Sequence, residues 1–257
     1  MVCQSTEKLP RPLDILGVNV SPFRSYEHAI ACLRDRIASG LQSFCIAINP
    51  EKVCRAHADR ELASVLDQAD ITICDGIGIS IAARILHGVK LERCTGIDLF
   101  EHIISAAEEE RWGVFLLGAS AEANRRAAEN LVRKHPGLFI AGRHDGYFSE
   151  SDSIVERINA SGADLLFVAM GSPRQEFWIA KSRARLNVKV CMGVGGTFDV
   201  IGGIVRRAPA ICRRTGTEFL YRSITAPGRY LKRIARHPNF MLMVLKKRLL
   251  GGHRLIE

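Results

Sequence analysis

A chain of 257 residues with 47% hydrophobic content can fill one large α/β domain or two small ones, which excludes a disordered polymer. Its formal net charge of +9 calls for an anionic partner, with nucleic acid, anionic lipid and a phosphorylated substrate all open on charge alone. No signal-like apolar segment precedes Pro10 and Pro12, and no 18 consecutive apolar residues occur, so neither export nor a membrane span is expected.

After an N-terminal extension, residues 1–12, apolar runs alternate with helix-period segments in chain order. The runs are Ile15 to Val20, Ser43 to Ile48, Ile71 to Cys74, Val114 to Leu117, Leu165 to Met170 and Lys189 to Met192. Helices are expected at about 25–38, 59–68, 77–87, 97–110, 120–134, 150–160 and 174–184. Nearly continuous apolar strands between helices predict a single doubly wound α/β domain, Rossmann-like, with a largely parallel sheet covered on both faces, over residues 13–203. Past Gly202-Gly203 the texture becomes arginine-rich, and residues 204–257 hold thirteen Lys/Arg against Glu218 and Glu257. That is +11 on the segment and −2 on the rest, so this part reads as a basic α-helical appendage that brings the anionic partner to its own region. The eight cysteines (Cys3, Cys32, Cys45, Cys54, Cys74, Cys94, Cys191 and Cys212) form no C-x-x-C and fit reduced, buried thiols of a cytosolic protein.

Ligands of such sheets sit beyond the carboxyl ends of the strands. Asp75 follows Ile71–Cys74 and precedes Gly76 and Gly78, where a carboxylate can act as general base, cap the helix starting near Ile77, or do both. Gly171, before Pro173, and Gly193, Gly195 and Gly196 offer either backbone N–H groups to phosphate or merely tight turns. Walker spacing and a G-x-G-x-x-G at the first strand are both absent, which disfavours ordinary ATP and dinucleotide sites. There is no Asp-x-Asp pair and no metal-type histidine spacing, so a leaving diphosphate would fall to arginine: Arg206, Arg207, Arg222 and Arg229 are the candidates. Residues 238–250 interleave Phe240–Leu245 with Lys246, Lys247 and Arg248. This stretch is too short to span and is read as an interfacial helix on an anionic membrane surface, against a packed terminal helix or a homo-oligomer contact.

Seven ordered segments together resemble the WecG/TagA/CpsF family, glycosyltransferase family 26, over about residues 13 to 250. They are Ile48-Asn49-Pro50-Glu51-Lys52, Cys74-Asp75-Gly76-Ile77-Gly78, Glu92-Arg93-Cys94-Thr95-Gly96-Ile97-Asp98-Leu99, Asp145-Gly146-Tyr147-Phe148, Gly171-Ser172-Pro173-Arg174-Gln175-Glu176, Gly193-Val194-Gly195-Gly196-Thr197-Phe198-Asp199 and Arg207-Ala208-Pro209. The resemblance implies an inverting, metal-independent enzyme without cofactor. It would move a sugar from a UDP-sugar donor to an undecaprenyl-diphosphate-linked acceptor sugar, as a peripheral protein on the cytoplasmic face of the inner membrane, in surface or exopolysaccharide synthesis. It implies Asp75 as the base that takes the proton of the acceptor hydroxyl, with Asn49, Arg93 and Gln175 in the same pocket. Gly171, Glu176, Gly195, Gly196 and Asp199 lie in matching segments and are assigned to substrate binding with them. Tyr221-Arg222 and Pro227-Gly228-Arg229 match appendage residues that reach over the active site, and Lys232 or Arg233 supplies a further cation.

Met170–Pro173 and Met192–Thr197 resemble the WecG branch, which makes N-acetylmannosaminuronic acid the first choice of donor sugar. N-acetylmannosamine and glucose stay open, and Ala47 stands where teichoic-acid members have threonine. A rival, a nucleotide-sensing domain with a nucleic-acid-binding tail, explains the same charge but not the apolar run at 240–245. No nucleic-acid partner is therefore expected.

Overall fold

A computed structural model of the chain describes residues 8–218, Tyr221 and 236–250. Six parallel strands form the sheet: β3 (Ser43–Ile48), β4 (Ile71–Cys74), β5 (Val114–Gly118), β6 (Ile140–His144), β7 (Leu165–Ala169) and β8 (Val190–Gly193). Their order is β4-β3-β8-β7-β5-β6 and every neighbouring pair is parallel.

Apart from the edge strand β6 the strands are largely apolar because both faces are covered, and successive side chains fall into opposite cores. Phe44, Ile46 and Ile48 pack on one face and Cys45 and Ala47 on the other, with Leu166 and Val168 set against Leu165 and Phe167 in the same way. On the first face lie α2 (Pro50–Ala58), α3 (Arg60–Asp67), α4 (Ile77–His87), α7 (Ser151–Ala160) and α8 (Arg174–Ser182). On the second lie α1 (Tyr26–Ala38), α5 (Gly96–Glu110), α6 (Ala121–Lys134) and α9 (Thr197–Ile201). The α/β class and the parallel, doubly wound sheet are as the sequence predicts.

Three elements differ from expectation. The run Ile15 to Val20 is not one strand: it bends at Leu16 (φ 56°) and Gly17 (φ 86°) into a two-residue hairpin, β1 (Leu13–Ile15) and β2 (Val18–Val20). Positive φ at both turn residues suits the twist of such a hairpin, and an apolar residue in the turn hides it from a hydropathy reading. Strand β6 has no strong apolar run because it is an edge, and its Gly142 is required by contact, since a Cβ there would sit 2.6 Å from the Phe115 ring. Helix α2 is short and charged, yet its start was legible: Asn49 caps it by accepting from the Lys52 N–H at 3.0 Å, and Pro50 opens it.

The appendage contributes α10 (Ala210–Thr215) and a terminal helix, Arg236–Leu250. The terminal helix lies against α2 and α4, and its Phe240 and Val244 join the core under them. Two residues of the run read as membrane-facing are therefore interior, while Leu242 (65% exposed), Leu245, Leu249 (81%) and Leu250 face outward. Lys247 pins the helix to the β1–β2 hairpin through Asp14 at 2.5 Å.

Phe240→Ala is expected to lower stability by about 3–5 kcal/mol, as for a truncated core aromatic. Leu242→Ala should stay within about 0.5 kcal/mol. Urea unfolding of the two variants separates a packed helix from one held only by a bilayer, in which case both substitutions would be silent in solution.

Candidate active site

The site is built where β3 and β4 end. The Asp75 N–H donates to Ile48 O at 2.8 Å, which hangs Asp75 beside Asn49. Gly76 then takes φ 101° and ψ 151°, a conformation that residues with a Cβ avoid. Gly76, not Asp75, is the N-cap of α4, and that helix start has no side-chain cap hydrogen bond. The capping role open to Asp75 in the sequence thus falls away. One turn on, a Cβ on Gly78 would sit 2.7 Å from Pro50 Cγ, so the first turns of α4 and α2 meet and bring Asp75 and Asn49 together.

Arg93 joins them because the Cys94 N–H donates to Cys74 O at 3.0 Å, laying the 89–95 loop along β4. The described part of the appendage closes over this corner. Arg93 Nη2 pairs with Glu218 at 3.5 Å, and Gly216 packs so tightly that a Cβ would lie 3.0 Å from Ile77 and 3.1 Å from Arg93 Nη1. Tyr221 continues the segment, its N–H donating to Thr217 O. Arg222, Arg229, Lys232 and Arg233 lie outside the described residues. Burial pushes the flanking thiols up, Cys74 to about 12 and Cys94 to about 11, so both stay neutral and neither is a nucleophile at ordinary pH.

A second group ties the ends of β3, β7 and β8. Lys52 is 5% exposed and Glu176 1%, and their charged atoms meet at 2.9 Å. Lys52 Nζ also donates to Ala47 O at 2.8 Å. Gln175 Nε2 donates to Glu176 at 3.0 Å, and Gln175 Oε1 accepts the Gly195 N–H at 3.0 Å. Desolvation works to raise the Glu176 carboxyl, but Lys52 and the Gln175 amide together hold it below its ordinary value, so it is ionised. A Cβ on Gly193 would sit 2.5 Å from Gln175 Nε2, which explains that glycine. The Gly195 N–H, offered to phosphate in the sequence reading, is thus given to Gln175. Gly171 (φ 77°) makes the turn into α8, its carbonyl accepting from the Gln175 N–H at 3.0 Å, and Gly196 is exposed at the start of α9.

The remaining candidates lie further along. Asp199 is partly buried and its carbonyl accepts from the N–H groups of Ile204 and Val205, shaping the exit into the appendage. Arg206 is exposed. Arg207 pairs with Asp98 and, at 3.5 Å, with Glu101 on α5, and it also feels the charge of Glu218, the partner of Arg93. It anchors the appendage, and a guanidinium committed to two carboxylates has little left for a diphosphate. Sequence reasoning assigned no role to Lys52 or Asp98, although Thr95-x-x-Asp98 is a readable capping pattern, with Thr95 Oγ1 donating to Asp98 at 2.6 Å. Among the described residues no group of three or more His, Cys, Asp or Glu is arranged to hold a metal.

Residues 13–254 match the model of the glycosyl transferase WecG/TagA/CpsF family. Among curated proteins, the chain is 35% identical over 204 residues to an N-acetylglucosaminyldiphosphoundecaprenol N-acetyl-beta-D-mannosaminyltransferase of Bacillus spizizenii, covering 79% of each chain. It is 33% identical over 200 residues to the enzyme of the same name from Bacillus subtilis, covering 78% of each. A match over nearly the whole chain, with Asp75, Asn49 and Arg93 gathered at one corner of a Rossmann-like sheet, leads to one conclusion: the chain belongs to the WecG/TagA/CpsF family and is a glycosyltransferase.

Proposed function

We propose that this enzyme transfers N-acetylmannosamine from its UDP donor to N-acetylglucosamine carried on undecaprenyl diphosphate, with inversion at the anomeric carbon. The reaction named for both Bacillus relatives supports the substrates, and the placement of Asp75 carries the chemistry. Asp75 takes the proton of the acceptor hydroxyl as that oxygen attacks opposite UDP, and Asn49 and Arg93 orient the sugars beside it. Charge developing on UDP falls to Arg222, next in sequence to Tyr221, and to Arg229, seven residues further along the chain. Ala47 does not argue against this donor: it is 6% exposed and faces the core next to Gly96, so its difference from threonine falls on packing. A second reading, N-acetylmannosaminuronic acid, rests on Met170–Pro173 and Met192–Thr197. It needs an additional cation for the uronate, whereas the described Arg93 and Arg207 already face carboxylates.

The exposed Leu242, Leu245, Leu249 and Leu250, with Lys246 and Arg248 beside them, favour peripheral association with an anionic membrane face. No helix among the described residues is long and apolar enough to cross a membrane.

Asp75→Asn is expected to leave UDP binding intact and lower kcat by about 10² to 10⁴, the range for a lost general base; near-normal turnover removes Asp75 from that role. With synthetic lipid-diphosphate N-acetylglucosamine, mass spectrometry should find product from UDP-N-acetylmannosamine in preference to the uronate and glucose donors, and EDTA should leave the rate unchanged. Changing Leu242, Leu245 and Leu249 together to Ser should weaken flotation with anionic vesicles without lowering the melting temperature. Added salt should weaken flotation of the unaltered protein, since the lipid field is screened within about 8 to 10 Å. Undiminished flotation of the triple variant would place the docking surface elsewhere.

A further inference from the structure

We propose that Lys52, which has no assigned role in the reaction, is the positioning residue that holds Asp75 in register for proton abstraction; this rests on the reading of Asp75 as the base. The inference comes from three consecutive residues at the end of β3. Ala47 O accepts from Lys52 Nζ at 2.8 Å, Ile48 O accepts from the Asp75 N–H at 2.8 Å, and Asn49 Oδ1 accepts from the Lys52 N–H at 3.0 Å. Lys52 therefore grips both neighbours of the one carbonyl from which Asp75 hangs. The pairing of β3 with β8 ends at Cys45↔Met192, so Ala47 lies past the ladder on that side, and the ammonium takes the place of a strand partner.

The rest of the network fixes the ammonium itself. Glu176 holds Lys52 at 2.9 Å, Gln175 holds Glu176, and Gln175 is clamped between the Gly195 N–H and the bare Gly193 backbone. The neighbouring strand end is thereby locked to the same point. A buried ion pair is poor value as a source of stability, because well-packed apolar groups of similar size often do as well. What an apolar residue cannot supply is a donor for Ala47 O. Lys52 and Glu176 thus serve geometry at the Asp75 corner, and Gln175, with both ends of its amide engaged by protein, acts with them as a positioning residue.

The test must remove the donor without stranding a buried carboxylate, since Lys52→Met alone leaves Glu176 charged and unpaired. The double variant Lys52→Met/Glu176→Gln removes both charges and keeps an acceptor for Gln175. It is expected to fold with a melting temperature within a few degrees of the parent and a donor KM within about threefold. Its kcat should fall at least about tenfold, toward the 10²-fold that a displacement of about 1 Å can cost. Amide exchange at Asp75, followed by NMR, should accelerate at least about tenfold on the same samples. Recovery of parental kcat together with stability would overturn the proposal, since charge pairing would then be the whole role. Unchanged Asp75 exchange would overturn it whatever the turnover. If the parent protein transfers no sugar from the UDP donor while Asp75 exchange still accelerates in the variant, the transferase substrates are wrong and the positioning of Asp75 by Lys52 stands.

Discussion

A parallel sheet covered on both faces has only its strand ends at which to display polar groups. All the strands but the edge strand β6 are largely apolar on both sides, so hydrogen-bonding capacity that neighbouring strands do not absorb concentrates at the carboxyl edge. The last residues of β3 show how tightly it is used: two carbonyls and a side-chain amide each have a named donor, and one of those donors is the backbone of Asp75. The glycines nearby are the complement of this crowding. Gly78 and Gly193 are bare because Pro50 and Gln175 occupy the space a Cβ would need, whereas Gly76 is bare because its backbone conformation demands it.

Much of this was readable in the residues. Strands β3, β4, β5, β7 and β8 show as apolar runs because burial on both faces leaves no alternation to interrupt them, and Asp75 stands out as a carboxylate following such a run between glycines. Three kinds of feature were hidden. Leu16 is apolar in a turn, so hydropathy merged two short strands. Strand β6 lies at an edge and carries Gly142, Arg143 and His144, which mute its signal. Arg207 looked like one more cation in a basic stretch, and only the tertiary structure shows that Asp98 and Glu101, more than a hundred residues earlier, claim it. Lys52 was hidden for a related reason: nothing local to it announces a carboxylate at position 176.

The appendage is less separable than its composition suggests. Its charge sets it apart from the body, yet Arg207 ties it to α5, Glu218 to the Arg93 loop, Lys247 to the first hairpin and Phe240 with Val244 to the core. The terminal helix therefore has two faces with different solvents in view. One completes a protein interior, and the other carries leucines and cations outward.

The groove that receives Phe240 and Val244 is made by α2 and α4, within residues 50–87, whereas the helix that fills it starts about 150 residues later. During synthesis the groove is assembled long before its occupant exists, so a nascent chain must carry an open apolar cleft through most of its elongation. Closure then depends on a contact of very long sequence separation, the kind that forms late because of its entropy of loop closure. A cell making this protein quickly would meet its aggregation hazard there, in a partly finished molecule whose sheet is already sound.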